Sequence, residues 1–144
     1  MQIQFRMHLI ITILLTSIFG IQGPGPKLFN SLPDEIHISA SNMGSLLTSE
    51  SIGNKITLNT QNTAPLSIEL FNYTKWNDKE KTVAYKLIGY PEGTTLIINI
   101  IQRNGQTIYR GHIKNMIYSD AFTINFNGSE LILKKTDREE IVAE

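Results

Sequence analysis

The stretch Leu96-Ile97-Ile98-Asn99-Ile100-Ile101-Gln102-Arg103-Asn104-Gly105-Gln106-Thr107-Ile108-Tyr109-Arg110-Gly111-His112-Ile113 decides the fold class. Two runs rich in β-branched residues flank Asn104-Gly105, the dipeptide preferred in a two-residue type I′ turn, where both central residues need φ > 0. That turn sets the register: Arg103 opposite Gln106, Ile101 opposite Ile108, Ile100 opposite Tyr109, Ile98 opposite Gly111 and Leu96 opposite Ile113. Side chains alternate across a strand. Leu96, Ile98, Ile100, Tyr109 and Ile113 therefore share a core face, and Ile97, Asn99, Ile101, Ile108, Arg110 and His112 share the other. Gly111 opposite Ile98 leaves room for close packing. A slip of one residue would turn every side chain over, so the segregation itself supports the pairing.

Working outward, Asn127-Gly128 predicts a second hairpin, with Phe122, Ile124, Phe126, Leu131 and Leu133 inward and Thr123, Asn125, Glu130, Ile132 and Lys134 outward. Period-two runs also occur at 36–38, 55–58, 66–70 and 82–87, which makes eight short strand candidates in all. Eight such strands separated by turn residues predict an all-β fold, a single antiparallel β-sandwich of the immunoglobulin-like kind over residues 35–135. Residues 21–34, with Gly23-Pro24-Gly25-Pro26, read as a linker, and residues 136–144 as a charged tail. Thr136-Asp137-Arg138-Glu139 spells a capping box, yet a tail this short frays unless it docks. The serines from Ser39 to Ser51 read as a loop or an edge ribbon.

The amino-terminal 20 residues read as a signal-peptide helix. Arg6 is the only charge before the uncharged run Leu9–Ile21, and small residues follow it. Thirteen uncharged residues are short for a permanent span, which wants about 20. The expectation is a product secreted or held in the periplasm, with no stable membrane span once the segment is removed. The chain has no cysteine. That excludes disulfides, thiolate–zinc sites, a cysteine nucleophile and a cysteine-linked lipid anchor. An exported domain of this size without disulfides fits a bacterial envelope better than an animal secretory route.

Composition and motifs remove functions more readily than they supply one. Thirteen basic residues balance thirteen acidic ones across 144 positions, so nothing here neutralises a run of phosphates, and nucleic acid is not an expected partner. G-x-S-x-G, S-x-x-K, Walker A, G-x-G-x-x-G and EF-hand spellings are absent. His37 and His112 lack metal-ligand spacing to other candidates. Asp34 with Glu35, Asp78 with Glu80, and Glu139 with Glu140 sit in polar runs where both members stay ionised, unlike the split pair that glycoside cleavage needs. No catalytic residue, metal or cofactor is expected, and an envelope hydrolase ranks last among the readings.

Two surface features remain. Tyr73 to Lys81 reads as a polar connection holding the only tryptophan. Trp76 there either folds back over the end of the fold or, with Tyr73 and Tyr90, stacks on a sugar while Asn77 and Asp78 bond its hydroxyls. Ile97, Ile101 and Ile108, beside Arg110 and His112, make an apolar cluster on the outward face of the first hairpin, suited to a protein partner or to self-association. Asn72-Tyr73-Thr74 and Asn127-Gly128-Ser129 satisfy the N-glycosylation triplet.

The strand–Asn-Gly–strand sequence from Leu96 to Gly111 resembles the hairpins of small secreted β-sandwich proteins of Bacteroidetes, including sorting domains of the type IX secretion route. That resemblance implies an exported β domain and carries over no functional residue. The acidic end Arg138-Glu139-Glu140-Ile141-Val142-Ala143-Glu144 departs from the basic terminus of sorting domains. The expected function is an exported, non-catalytic binding module for a protein or a surface, with carbohydrate binding through Trp76 as the alternative.

Overall fold

The computed structural model describes residues 25–48 and 50–141. The signal peptide expected over residues 1–20 and the last residues of the expected tail lie outside them. Eight antiparallel strands form: β1 (Glu35–Ser39), β2 (Lys55–Leu58), β3 (Leu66–Asn77), β4 (Glu80–Leu87), β5 (Thr95–Arg103), β6 (Gln106–Lys114), β7 (Asp120–Phe126) and β8 (Glu130–Asp137). Among the described residues two helices accompany them, α1 (Ala40–Thr48) and the single turn α2 (Arg138–Ile141).

The strands make one sheet, ordered β1-β8-β7-β6-β5-β4-β3-β2, instead of the two facing sheets expected. From β2 to β8 each strand pairs with its neighbour in the chain, and none crosses to a second layer. The ends of the sheet nearly meet, through a bridge between Ile38 and Thr60, so the shape is that of a barrel. In–out alternation is the same in a sandwich and a barrel, which is why the period alone could not separate them.

Both hairpins show how the turns set the pairing. Asn104 (φ 51°) and Gly105 (φ 75°) take the left-handed conformations of a type I′ turn, and all five cross-strand pairs read from the sequence are formed. The second hairpin keeps its faces but turns one residue later. The Asn127 N–H donates to Glu130 O (3.2 Å), which puts Gly128 (φ 96°) and Ser129 at the centre. Asn127 Oδ1 accepts from the N–H groups of Ser129 (3.0 Å) and Glu130 (2.8 Å), so the asparagine anchors the turn instead of forming it. Phe126 then faces Leu131 and Ile124 faces Leu133.

The seam between the sheet ends is closed largely by side chains. Gln61 N–H donates to His37 O (3.0 Å), and Asn62 reaches the β1 backbone twice, accepting from His37 N–H (3.3 Å) and donating to Glu35 O (2.6 Å). Glu130 ties the outer surface of this seam, bonded to His37 Nδ1 (3.1 Å) and accepting from Gln61 Nε2 (2.9 Å). Those bonds, His37 first and Gln61 next, hold the Glu130 carboxyl below its ordinary range. A carboxyl depressed on folding contributes stability that is present above its unfolded value, about 4.3 for glutamate, and lost as pH falls through the folded value. The urea midpoint of the wild type should exceed that of Glu130→Gln at neutral pH, and the gap should close as pH drops below that range. A gap independent of pH would contradict the assignment.

Each end of the barrel has a plug. At the end of the β3–β4, β5–β6 and β7–β8 turns, α1 sends Leu46 into the interior, fully buried, and its carbonyl accepts the Tyr85 hydroxyl at 2.5 Å. Burial pushes that phenol up to about 12. The serine-rich stretch thus holds a helix that the sequence analysis missed; Met43, Leu46 and Leu47 had the spacing of one. At the other end, the strap of residues 25–34 is no bare linker. Phe29 is buried against Phe122 (ring centroids 5.1 Å apart) and Tyr90 (5.9 Å). The buried Asp120 carboxylate accepts the N–H groups of Leu28 (2.6 Å) and Phe29 (2.8 Å). Lys135 Nζ donates to Leu32 O (2.6 Å) and faces Asp34 Oδ1 (3.4 Å).

Candidate functional site

The outer wall of β4, β5 and β6 is built by their register. Ile97 lies beside Ala84 and His112, Asn99 beside Thr82 and Arg110, and Ile101 beside Glu80 and Ile108. These residues face out because alternation commits Leu96, Ile98 and Ile100 to the core, all of which are buried. Ile97, Ile101 and Ile108 are half-buried and Arg110 is exposed. The register places Ile97, Ile101 and Ile108 on the outward side, with the Asn99–Arg110 pair standing between Ile97 and the Ile101–Ile108 pair.

Trp76 joins this wall. Strand β3 runs to Asn77 and β4 begins at Glu80, so the expected nine-residue loop is a tight turn at Asp78-Lys79 between two strands. The pairing slips between Lys75 and Asn77, which places Trp76 in a bulge. Trp76 is 66% exposed, so it is not the folded-back lid. The indole N–H donates to Thr82 Oγ1 (2.9 Å), whose hydroxyl donates to Asn99 Oδ1 (2.8 Å). That chain crosses from β3 to β5 and ties the indole to the outer face of the wall.

Tyr73, Asn77 and Asp78 lie elsewhere. With Glu50, Lys75, Lys79 and Lys81 they line a groove of about 410 Å³ at the α1 end, to which Trp76 contributes nothing. Period-two alternation sends Tyr73 and Lys75 to the side of the strand opposite Trp76. The polar groups of this groove are engaged with one another. Tyr73 Oη donates to Glu50 Oε1 (3.0 Å), Lys75 pairs with Asp78 (2.8 Å), and Asn77 Oδ1 accepts Lys79 N–H (2.8 Å). Burial and then Glu50 raise the Tyr73 phenol, and Lys75 lowers the Asp78 carboxyl. Tyr90 is at the far end of the barrel, packed on Phe29. The single sugar-binding face expected from the sequence is thus split into three places.

His112 belongs to a groove that strand alternation alone does not reveal. The described part of the tail, residues 136–141, is built into the fold: β8 continues to Asp137, Thr136 Oγ1 bonds the Glu140 carboxylate, and α2 packs on β7 and β8. Between α2 and the wall runs a groove of about 870 Å³ whose lining includes Arg110, His112, Thr123, Lys134, Glu140 and Ile141. His112 Nε2 is buried there without a hydrogen-bond partner. Desolvation, then Lys114, lowers the pKa of this imidazole. The capping-box spelling was the available signal. Of the two sequons, Asn72 is an exposed position of β3 and Asn127 the exposed anchor of the last turn. Among the described residues no group of three or more His, Asp or Glu is placed to hold a metal ion.

No protein-family model, no curated protein and no solved structure matches the chain.

Proposed function

We propose that this chain is an exported, non-catalytic binding module that engages a protein partner, or a second copy of itself, through the outer wall of β4–β6. One observation carries the reading: Trp76, Thr82 and Asn99 form a hydrogen-bonded chain running into Ile97, Ile101, Ile108 and Arg110. An exposed aromatic tied by hydrogen bonds to a face that also carries aliphatic side chains and an arginine has the composition of binding hot spots. Export is inferred from Arg6 and the uncharged run Leu9–Ile21, and the resemblance of Leu96–Gly111 to secreted Bacteroidetes hairpins agrees with it. Fractionation and mass spectrometry of the product would test it: recovery inside the cell with Met1 attached would refute export.

Docking is tested on the wall itself. Ile101→Asp places a charge on a half-buried outward position and should leave the fold intact. It should weaken association at least about tenfold, the equivalent of losing most of one buried aliphatic side chain. Light scattering across a concentration series reads self-association. A strictly monomeric wild type that also binds no protein in its own compartment would remove the proposal.

Carbohydrate is the second reading, and it rests on Trp76 alone. The tied N–H leaves the indole ring presented to solvent, as a stacking platform requires. Trp76→Ala should abolish glycan-array binding, and binding that survives it would dismiss the sugar reading.

A further inference from the structure

The end of the barrel opposite Trp76 exposes three aliphatic side chains on two adjoining loops: Ile88 is 42% exposed, Met116 70% and Ile117 72%. These loops are tied to each other through Asn115, itself 1% exposed. Its Nδ2 donates to Glu92 O (3.0 Å) and Thr94 Oγ1 (2.9 Å), and its Oδ1 accepts Ile117 N–H (3.0 Å). The Arg138 guanidinium also bonds Met116 O. A braced scaffold thus presents large apolar side chains to water, an arrangement that marks a contact surface.

What covers that surface is indicated by where the described chain begins. Ser119, at the end of the same loop, donates through Oγ to Gly25 O (2.6 Å) and through N–H to Pro26 O (3.0 Å). Upstream of Gly25 stand only Gln22-Gly23-Pro24 and then the uncharged run Leu9–Ile21. The four Cα–Cα steps from Gly25 back to Ile21 span at most about 14 Å. Chain connectivity therefore starts the apolar run close to the Met116–Ile117 tip. We infer that, in the chain that carries its amino-terminal segment, this end of the barrel faces a lipid bilayer. Met116, Ile117 and Ile88 enter the boundary between headgroups and acyl chains, with Leu9–Ile21 as the adjoining tether. Acidic and basic residues balance in this chain, so apolar insertion drives the contact without anionic lipid. The inference goes beyond the docking wall and does not depend on it.

The position of the single tryptophan provides the test. The full-length wild type reports from Trp76, far from the tip, and a full-length Trp76→Phe, Ile117→Trp double variant reports from the tip, its fold checked by circular dichroism. Each is mixed with vesicles of phosphatidylcholine, and with vesicles of phosphatidylcholine brominated on its acyl chains. Both proteins should float with the vesicles. The tryptophan at 117 should shift to the blue and lose most of its emission to bromine, while Trp76 keeps its own. Failure to float would overturn the inference. So would a floated double variant that is not quenched, or equal quenching of Trp76. A tip tryptophan already blue-shifted without lipid would also overturn it, by placing the chain's own segment or a second copy over the tip.

Discussion

Gly111→Ala is expected to cost about 3–5 kcal/mol, the extreme of single substitutions and a large fraction of the roughly 5–15 kcal/mol that holds a domain together. A Cβ at this position would fall inside the van der Waals shell of the Ile97 carbonyl oxygen and 3.0 Å from Ile124 Cδ1. The first obstacle is backbone, so no rotamer change relieves it. Strand β6 follows β5 along its whole length but pairs with β7 only from Gly111 to Ile113. Gly111 is therefore where the sheet turns its corner, a place where strand glycines allow close backbone approach. Urea unfolding measures the loss. Gly44→Ala is the control: nothing lies within 4 Å of its added Cβ, and alanine in α1 should leave stability unchanged or raise it by up to about 1 kcal/mol. A Gly111→Ala protein of wild-type midpoint would mean that the sheet does not coil there.

Phe29→Ala should be nearly as damaging, at about 3–5 kcal/mol, the usual range for deleting a buried phenylalanine. A residue in a passive linker would cost less than about 0.5 kcal/mol. Phe29 is 1% exposed and packs edge-on against Phe122. Asp120, 2% exposed, loses its reason to be buried if the two N–H groups it accepts drift away. The substitution should therefore loosen the whole strap from Gly25 to Asp34, seen as faster amide exchange at Leu28 and Phe29 as well as a lower urea midpoint. A midpoint within experimental error of the wild type would return residues 25–34 to linker status.

The parts of this fold legible from the chain are those governed by local chemistry. Asn104-Gly105 has one comfortable turn type, and every pair from Arg103–Gln106 to Leu96–Ile113 follows from it. Eight strands could be read because Ile, Thr, Tyr and Phe alternate with polar residues. The closure could not be read. It depends on Asn62 bonding the backbone at Glu35 and His37, a long-range match that leaves no period behind. Helix α1 escaped for a related reason: its serines and asparagine favour turns, and the docking of Leu46 beneath Tyr85 outweighs that preference. At the candidate site, Ile97, Ile101 and Ile108 were legible as outward residues of a fixed register. Trp76 was misplaced because a two-residue turn at Asp78-Lys79 has the same polar composition as a loop. Its separation from Tyr73 follows from strand alternation, which a loop does not have.

The seam also dictates an order of events. His37 and Glu130, bonded to each other, stand 93 positions apart along the chain. Strand β1 can therefore complete its ladder only when β8 has been made, whereas β2 to β7 zip through neighbouring hairpins, whose closure is cheap in entropy. Leu96–Ile101, the stretch most prone to stick to other chains, lies in the middle of that zipper. Its edges are covered by β4 and β6, its immediate neighbours in the chain. The strand left waiting is β1, five residues long, with Glu35 and His37 on its outward side: a poor template for aggregation while the barrel is still open.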